Sequence, residues 1–180
     1  MKCQYIKSNF NHSYREEDFI FFWGHTPAKG GQITESCLSQ WWKCNFMENG
    51  IVFCCAEQYM MYKKALLFED YEFAYKILKS MDPKEIKEYG RLIRNFNDEQ
   101  WNLYKQEIVV HGNILKFSQN SELRDYLQNT GTKILVEASP YDKIWGIGMK
   151  KGTEGILDPS KWKGENLLGF SIMEVRERIF

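Results

Sequence analysis

Histidine is scarce in this chain of 180 residues: only His12, His25 and His111 occur, and they are scattered. The five cysteines (Cys3, Cys37, Cys44, Cys54 and Cys55) include no C-x-x-C pair. These two shortages exclude the usual ligand spacings of a zinc site, so no metal and no cofactor is expected. The odd cysteine count, and the strain a bridge between adjacent Cys54 and Cys55 would carry, argue for reduced, mostly buried thiols in a cytoplasmic protein. Net charge is missing as well. Lys plus Arg and Asp plus Glu are 24 each, so no overall field recruits nucleic acid or an anionic membrane, although a local basic pocket stays open. No apolar run is long enough to cross a bilayer, and no signal-peptide pattern opens the sequence. Repeats, low-complexity linkers and a nucleophile elbow are absent, and "GTEGILDP" (152–159) lacks the lysine and spacing of a P-loop. Nothing signals an obligate protein partner.

What is present is apolar and aromatic. Apolar residues make up 43%, which excludes disorder, and a chain of this length can form one domain, residues 1–180, with a sizeable core. Aromatics reach 16%; many must pack inside, and some could wall a flat ligand. "DFIFFWG" (18–24) reads as a strand, and "WWKCNFMENGIVFCC" (41–55) as a hairpin turning at Asn49-Gly50. "AEQYMMYKKALLF" (56–68) has helical apolar spacing, and a second helix follows in "DYEFAYKILKS" (70–80). In the next helix Asp82 can cap, Pro83 suits the first position and Glu85 completes a capping box. Asn97 precedes a long helix in which Gly112 is a weak point. Ser121 starts another, ended by Gly131. A strand over 132–138 leads into a long loop, and 165–180 is an amphipathic helix. The order predicts an α+β fold, mostly helical with a small β-sheet, and no doubly wound sheet.

Two stretches could carry chemistry. On the helix at 56–68, Glu57 and Lys64 are seven residues apart, so they share a face about 10 Å apart along the axis. Two long side chains at that spacing can converge on one ligand, and equally can be a solvated pair beside a core stripe. The second stretch is "EASPYDKIWGIG" (137–148), where a buried strand delivers Glu137, Asp142 and Trp145 into a loop with two glycines. Pro140 stops the strand, and loops set after strands are where scaffolds present functional groups. Alternatively, this is a structural turn with Trp145 as filler. Trp41 and Trp42 read as packing residues. Lys116 in "KFSQN" (116–120) could meet an anion but more simply faces water.

Taken together, "CLSQWW", "NGIVFCCAEQYMMYKKA", "KFSQN", "LVEASPYDKIWGIG" and "GENLLGFSIMEVRERIF" occur in the order of motifs found in the NADAR, or YbiA-like, N-glycosidases. The chain resembles that family over most of its length, with Gln58 where the family usually has His and Gln40 where it usually has Asn. The resemblance implies a YbiA-like fold and hydrolysis of a bond between ribose C1 and nitrogen. Its substrate classes are ADP-ribose on guanine bases and phosphorylated ribosylamino-pyrimidines of riboflavin synthesis. The expected partner is therefore a small nucleotide-like molecule or an ADP-ribosylated nucleic acid base. It also implies Lys64 as the lysine that forms a Schiff base, with Glu57 and Asp142 as acid and base. Phe22, Trp101, Glu137, Trp145 and Asn166 would contact substrate. A module that binds ADP-ribose or a nucleotide without cleaving it is the competing expectation, and a plain interaction protein is a third.

Overall fold

The computed structural model of the protein describes residues 14–180; Cys3 and His12 lie outside them. The described residues fall into two compact units, the chain up to Ser39 with Asp125–Phe180, and Gln40–Arg124. The fold is α+β and mostly helical, as the sequence order predicts, but its strands form two separate two-stranded sheets.

In the first unit, β1 (Phe19–Phe22) and β4 (Ile134–Glu137) pair in parallel, with Phe22 opposite Glu137. The strand period of two sends Phe19 and Phe21 into one cluster with Val136, Ile147, Trp162 and Phe170. Burying such side chains stabilises by roughly 1.5–3 kcal/mol each. The helix α6 (Leu167–Ile179) packs on β4. Gly169 permits this approach, since a methyl there would fall 2.1 Å from the Leu135 carbonyl oxygen.

In the second unit, β2 (Phe46–Glu48) and β3 (Ile51–Phe53) form the hairpin at Asn49-Gly50, whose residues both have positive φ, 50° and 80°. Then come α1 (Ala56–Leu67), α2 (Tyr71–Lys79), α3 (Pro83–Arg91) and α4 (Asp98–Gln119). The helix α5 (Ser121–Asn129) carries the boundary between the units, and Gly131 follows it at φ 54°. α1 packs against α2, α3 and α4.

Three local expectations are corrected. The capping box at α3 does not close. Asp82 accepts from Lys84 N, while Glu85 turns to Ser80 Oγ and Tyr89 Oη. Gly112 is not a weak point, because α4 runs through it unbroken and a methyl there would lie 2.5 Å from the Tyr59 ring. Lys116 does not face water but is fully buried, its ammonium 5.0 Å from the Phe117 ring centroid. Cys37, Cys54 and Cys55 are buried and Cys44 is half-buried, and none of these four is in a disulfide.

Candidate functional site

Lys64, Glu57 and Trp101 belong to the second unit, and Phe22, Glu137, Asp142, Trp145 and Asn166 to the first.

Cys55 precedes α1 in an extended conformation and caps nothing with its side chain. The orphan N–H of Glu57 is instead satisfied by the Gln40 carbonyl at 2.9 Å. This holds a carboxylate, almost wholly buried, in the first turn, where the helix dipole favours negative charge. Gln40 is kept in place by its own side chain, whose Oε1 accepts from Asn113 Nδ2 at 2.8 Å. Gln58, the next residue of α1, is also fully committed. Its Oε1 accepts from Cys54 N and its Nε2 donates to the Ile77 and Ser80 carbonyls. Gln58 is thus a tie between α1 and the end of α2.

Lys64 lies two turns along α1. Its Nζ donates to the Gly90 carbonyl at 2.7 Å and sits 4.1 Å from the Phe96 ring centroid and 5.7 Å from that of Trp101. Burial among these rings holds the ammonium below its ordinary pKa, while Asp98 and Glu57 pull it back upward. Such an amine is more readily neutral, and hence nucleophilic, than a solvated lysine. Phe96 escapes a reading of the sequence. Its only signal is an aromatic in a short polar linker just before the Asn97 cap. Lys63, one residue away, is turned elsewhere. It forms an ion pair with Glu48 at 2.7 Å, and Glu48 also accepts from Tyr59 Oη and pairs with His111.

In the first unit, Ala138 N donates to the Phe22 carbonyl, and the chain then turns through Ser139 and Pro140. The Ser139 hydroxyl accepts from the backbone N–H of both Tyr141 and Asp142. Asp142 Oδ1 in turn accepts from Ile144 N at 2.9 Å and Trp145 N at 2.8 Å, while Oδ2 accepts no bond among the described residues. One carboxylate oxygen therefore fixes the loop. Gly146 and Gly164 let the loop fold on itself. A methyl at Gly146 would meet the Glu137 and Asp142 carbonyl oxygens at 2.9 and 3.0 Å, and one at Gly164 would meet the Gly146 oxygen at 2.3 Å.

Asn166 is fully buried at φ 54°, a left-handed conformation Asn tolerates better than most residues. Its Oδ1 accepts from Glu137 N and its Nδ2 donates to the Leu135 carbonyl, each at 2.9 Å. Both ends of the amide are spent on β4. Phe22 is likewise almost wholly buried. Trp145 is half-buried, and its carbonyl accepts from Leu168 N. The structure thus brings Lys64 together with Trp101, Asp142 with Trp145, and Glu137 with Asn166. Among the described residues no group of three or more His, Cys, Asp or Glu is placed to hold a metal ion, and no helix is long and apolar enough to cross a membrane.

The family model described as the NADAR domain matches residues 21–180. The chain belongs to the NADAR family. It is 45% identical over 166 residues to N-glycosidase R617 of Acanthamoeba polyphaga mimivirus, covering 89% of this chain and 96% of that one. It is 30% identical over 140 residues to N-glycosidase Npun_R5314 of Nostoc punctiforme, covering 75% and 83%. The solution structure of the Escherichia coli protein YbiA is similar in fold, with a TM-score of 0.70 at 24% identity over 95% of this chain and 89% of that one.

Proposed function

We propose that this NADAR protein is a hydrolase of N-glycosyl bonds, and that Lys64 carries the reaction covalently. The observation that carries the proposal is the Lys64 amine, half-buried against Phe96 and Trp101, depressed in pKa, and on the same helix face as buried Glu57. The names of relatives that match most of their own length support the reaction class. The proposed substrate is the ribose C1–nitrogen bond of an ADP-ribosylated guanine base or of a phosphorylated ribosylamino-pyrimidine. The proposed compartment is the reducing cytoplasm, in keeping with four cysteines outside any disulfide among the described residues.

A carboxylic acid protonates the leaving nitrogen as the C1–N bond breaks, the neutral Lys64 amine bonds to C1 and gives a proton to the carboxylate, and the C1–O4 bond then opens, the ring oxygen taking that proton, to leave a protonated imine at C1. Water then adds to that carbon, aided by a carboxylate base, and the amine leaves. The net result is the free base plus the sugar, ADP-ribose or ribose 5-phosphate, with one water consumed. Positive charge builds on the sugar as the bond breaks, so a buried carboxylate such as Glu57 stabilises the transition state. Asp142 is assigned to the same reaction by the family resemblance, its Oδ2 being the oxygen left for proton transfer. Asn166 acts by positioning β4 and Gln40 by positioning Glu57.

The test is incubation with ADP-ribosyl-guanosine and with the ribosylamino-pyrimidine phosphates, with free base read by chromatography, and borohydride added during turnover. The expected result is a reduced adduct of the sugar's mass on Lys64, and a loss of several orders of magnitude in rate for Lys64→Ala. An active Lys64→Ala enzyme, or an adduct on Lys63, overturns the covalent assignment. Binding without release of base favours a non-catalytic module.

A further inference from the structure

Two large aromatic side chains of the first unit remain outside this reaction. Trp23 directly follows Phe22 at the end of β1, and Tyr141 directly precedes Asp142 beyond the end of β4. Because β1 and β4 are parallel, both leave the sheet at the same end. Trp23 is 51% exposed and Tyr141 86%. The ring centroids of Trp23 and Tyr141 are 6.1 Å apart at 51°, so neither ring covers the face of the other. The Tyr141 backbone is held by Ser139 Oγ, and the Trp23 indole N–H has no partner among the described residues. Two exposed rings in contact with each other, one of them directly before the proposed proton-transfer residue in sequence, offer apolar faces to a ligand.

A second observation adds charge to the same loop. A methyl at Gly148 would lie 3.1 Å from Lys143 Cγ and 3.2 Å from Lys163 Cβ, so the two lysine stems flank that glycine. Both lysines are exposed and neither makes an ion pair among the described residues. An exposed aromatic pair, with Lys143 two residues after Tyr141 and the Lys163 stem flanking the same glycine as Lys143, matches one chemistry, a flat heteroaromatic base joined to phosphate.

We propose that Trp23 and Tyr141 stack a nucleobase and that Lys143 and Lys163 meet the attached phosphates, forming a nucleotide subsite beyond the ribose whose bond is cut. The proposal rests on the N-glycosidase reading for what happens next to it, though binding at the subsite needs no turnover. It selects between the two substrate classes, because an ADP-ribosylated base carries a second base on a diphosphate and a ribosylamino-pyrimidine phosphate does not.

The experiment measures equilibrium binding of ADP-ribose, adenosine, ribose 5-phosphate and an eight-nucleotide single-stranded DNA, with thermal midpoints as a check on folding. Trp23→Ala and Tyr141→Ala are each expected to raise the Kd of ADP-ribose and of adenosine about tenfold, the scale of losing one stacking ring. Trp23→Phe should stay within about threefold. Neither ring variant should change ribose 5-phosphate binding, which the Lys143→Ala, Lys163→Ala double variant should weaken. A strand that binds more tightly than ADP-ribose and depends on both rings identifies the occupant as a neighbouring nucleotide of nucleic acid. An ADP-ribose Kd unaffected in the Trp23→Ala, Tyr141→Ala double variant, or no binding by the wild-type protein, overturns the subsite. Ring-dependent binding with no base released from either substrate class leaves the subsite standing and removes the glycosidase reading instead.

Discussion

Replacing Asn166 separates a residue that touches substrate from one that holds the scaffold. In Asn166→Ala the Glu137 N–H and the Leu135 carbonyl each lose a partner at 2.9 Å in a fully buried setting. Leaving a buried polar group unsatisfied costs about 1–3 kcal/mol, so the pair accounts for about 2–6 kcal/mol. Alanine at φ 54° adds about 1 kcal/mol. The expected loss is therefore about 3–7 kcal/mol, or roughly 10–20 °C in thermal midpoint for a chain of this size. Asn166→Gly removes the same bonds but accepts the left-handed backbone, so it should recover about 1 kcal/mol of the loss. The assay is urea unfolding with the m-value held as a check, alongside kcat and KM on folded variant at low temperature. An Asn166→Ala protein that unfolds at the wild-type midpoint while its KM rises would refute the positioning role and make Asn166 a substrate contact.

Four further outcomes are expected. The rate at low substrate should rise with pH as Lys64 loses its proton, with a midpoint below the ordinary lysine value of 10.5, because burial favours the neutral amine in the folded state. Phe96→Ala, which admits water to that amine, should move the midpoint to higher pH, and an unmoved profile removes Phe96 from the site. Gly112→Ala should destabilise by about 1–3 kcal/mol in thermal unfolding despite alanine's better helix propensity, since the Tyr59 ring must shift. Arg94 holds the Asp70 carboxyl well below the usual carboxylate range, so the pair contributes stability above about pH 4 that is lost as pH falls further. Asp70→Asn should abolish that acid limb and cost roughly 1–3 kcal/mol at neutral pH, less than a fully buried pair because Arg94 is more than half exposed. Lys63→Ala should leave the rate unchanged and lower stability by about 1 kcal/mol or less, through its lost ion pair with Glu48.

The hairpin at Asn49-Gly50, the helix starts at Asp82, Asn97 and Ser121, and the turn at Gly131 are legible in the amino-acid sequence. Each depends on the conformational preference of one or two residues, and those preferences are local. The spacing of Glu57 and Lys64 is legible for the same reason, because a helix converts a separation of seven into a shared face. The uses of individual side chains are not, since they depend on neighbours distant in sequence. Lys64 owes its lowered pKa to Phe96 and Trp101, 32 and 37 positions further along the chain. Asn166 is committed by Glu137 and Leu135, about thirty positions before it. Gly112 is read as a flaw in a helix until Tyr59 is seen to fill the space its missing side chain leaves. Backbone propensity acts over a few residues, whereas burial, hydrogen-bond commitment and pKa are set by whatever the tertiary structure packs against a group.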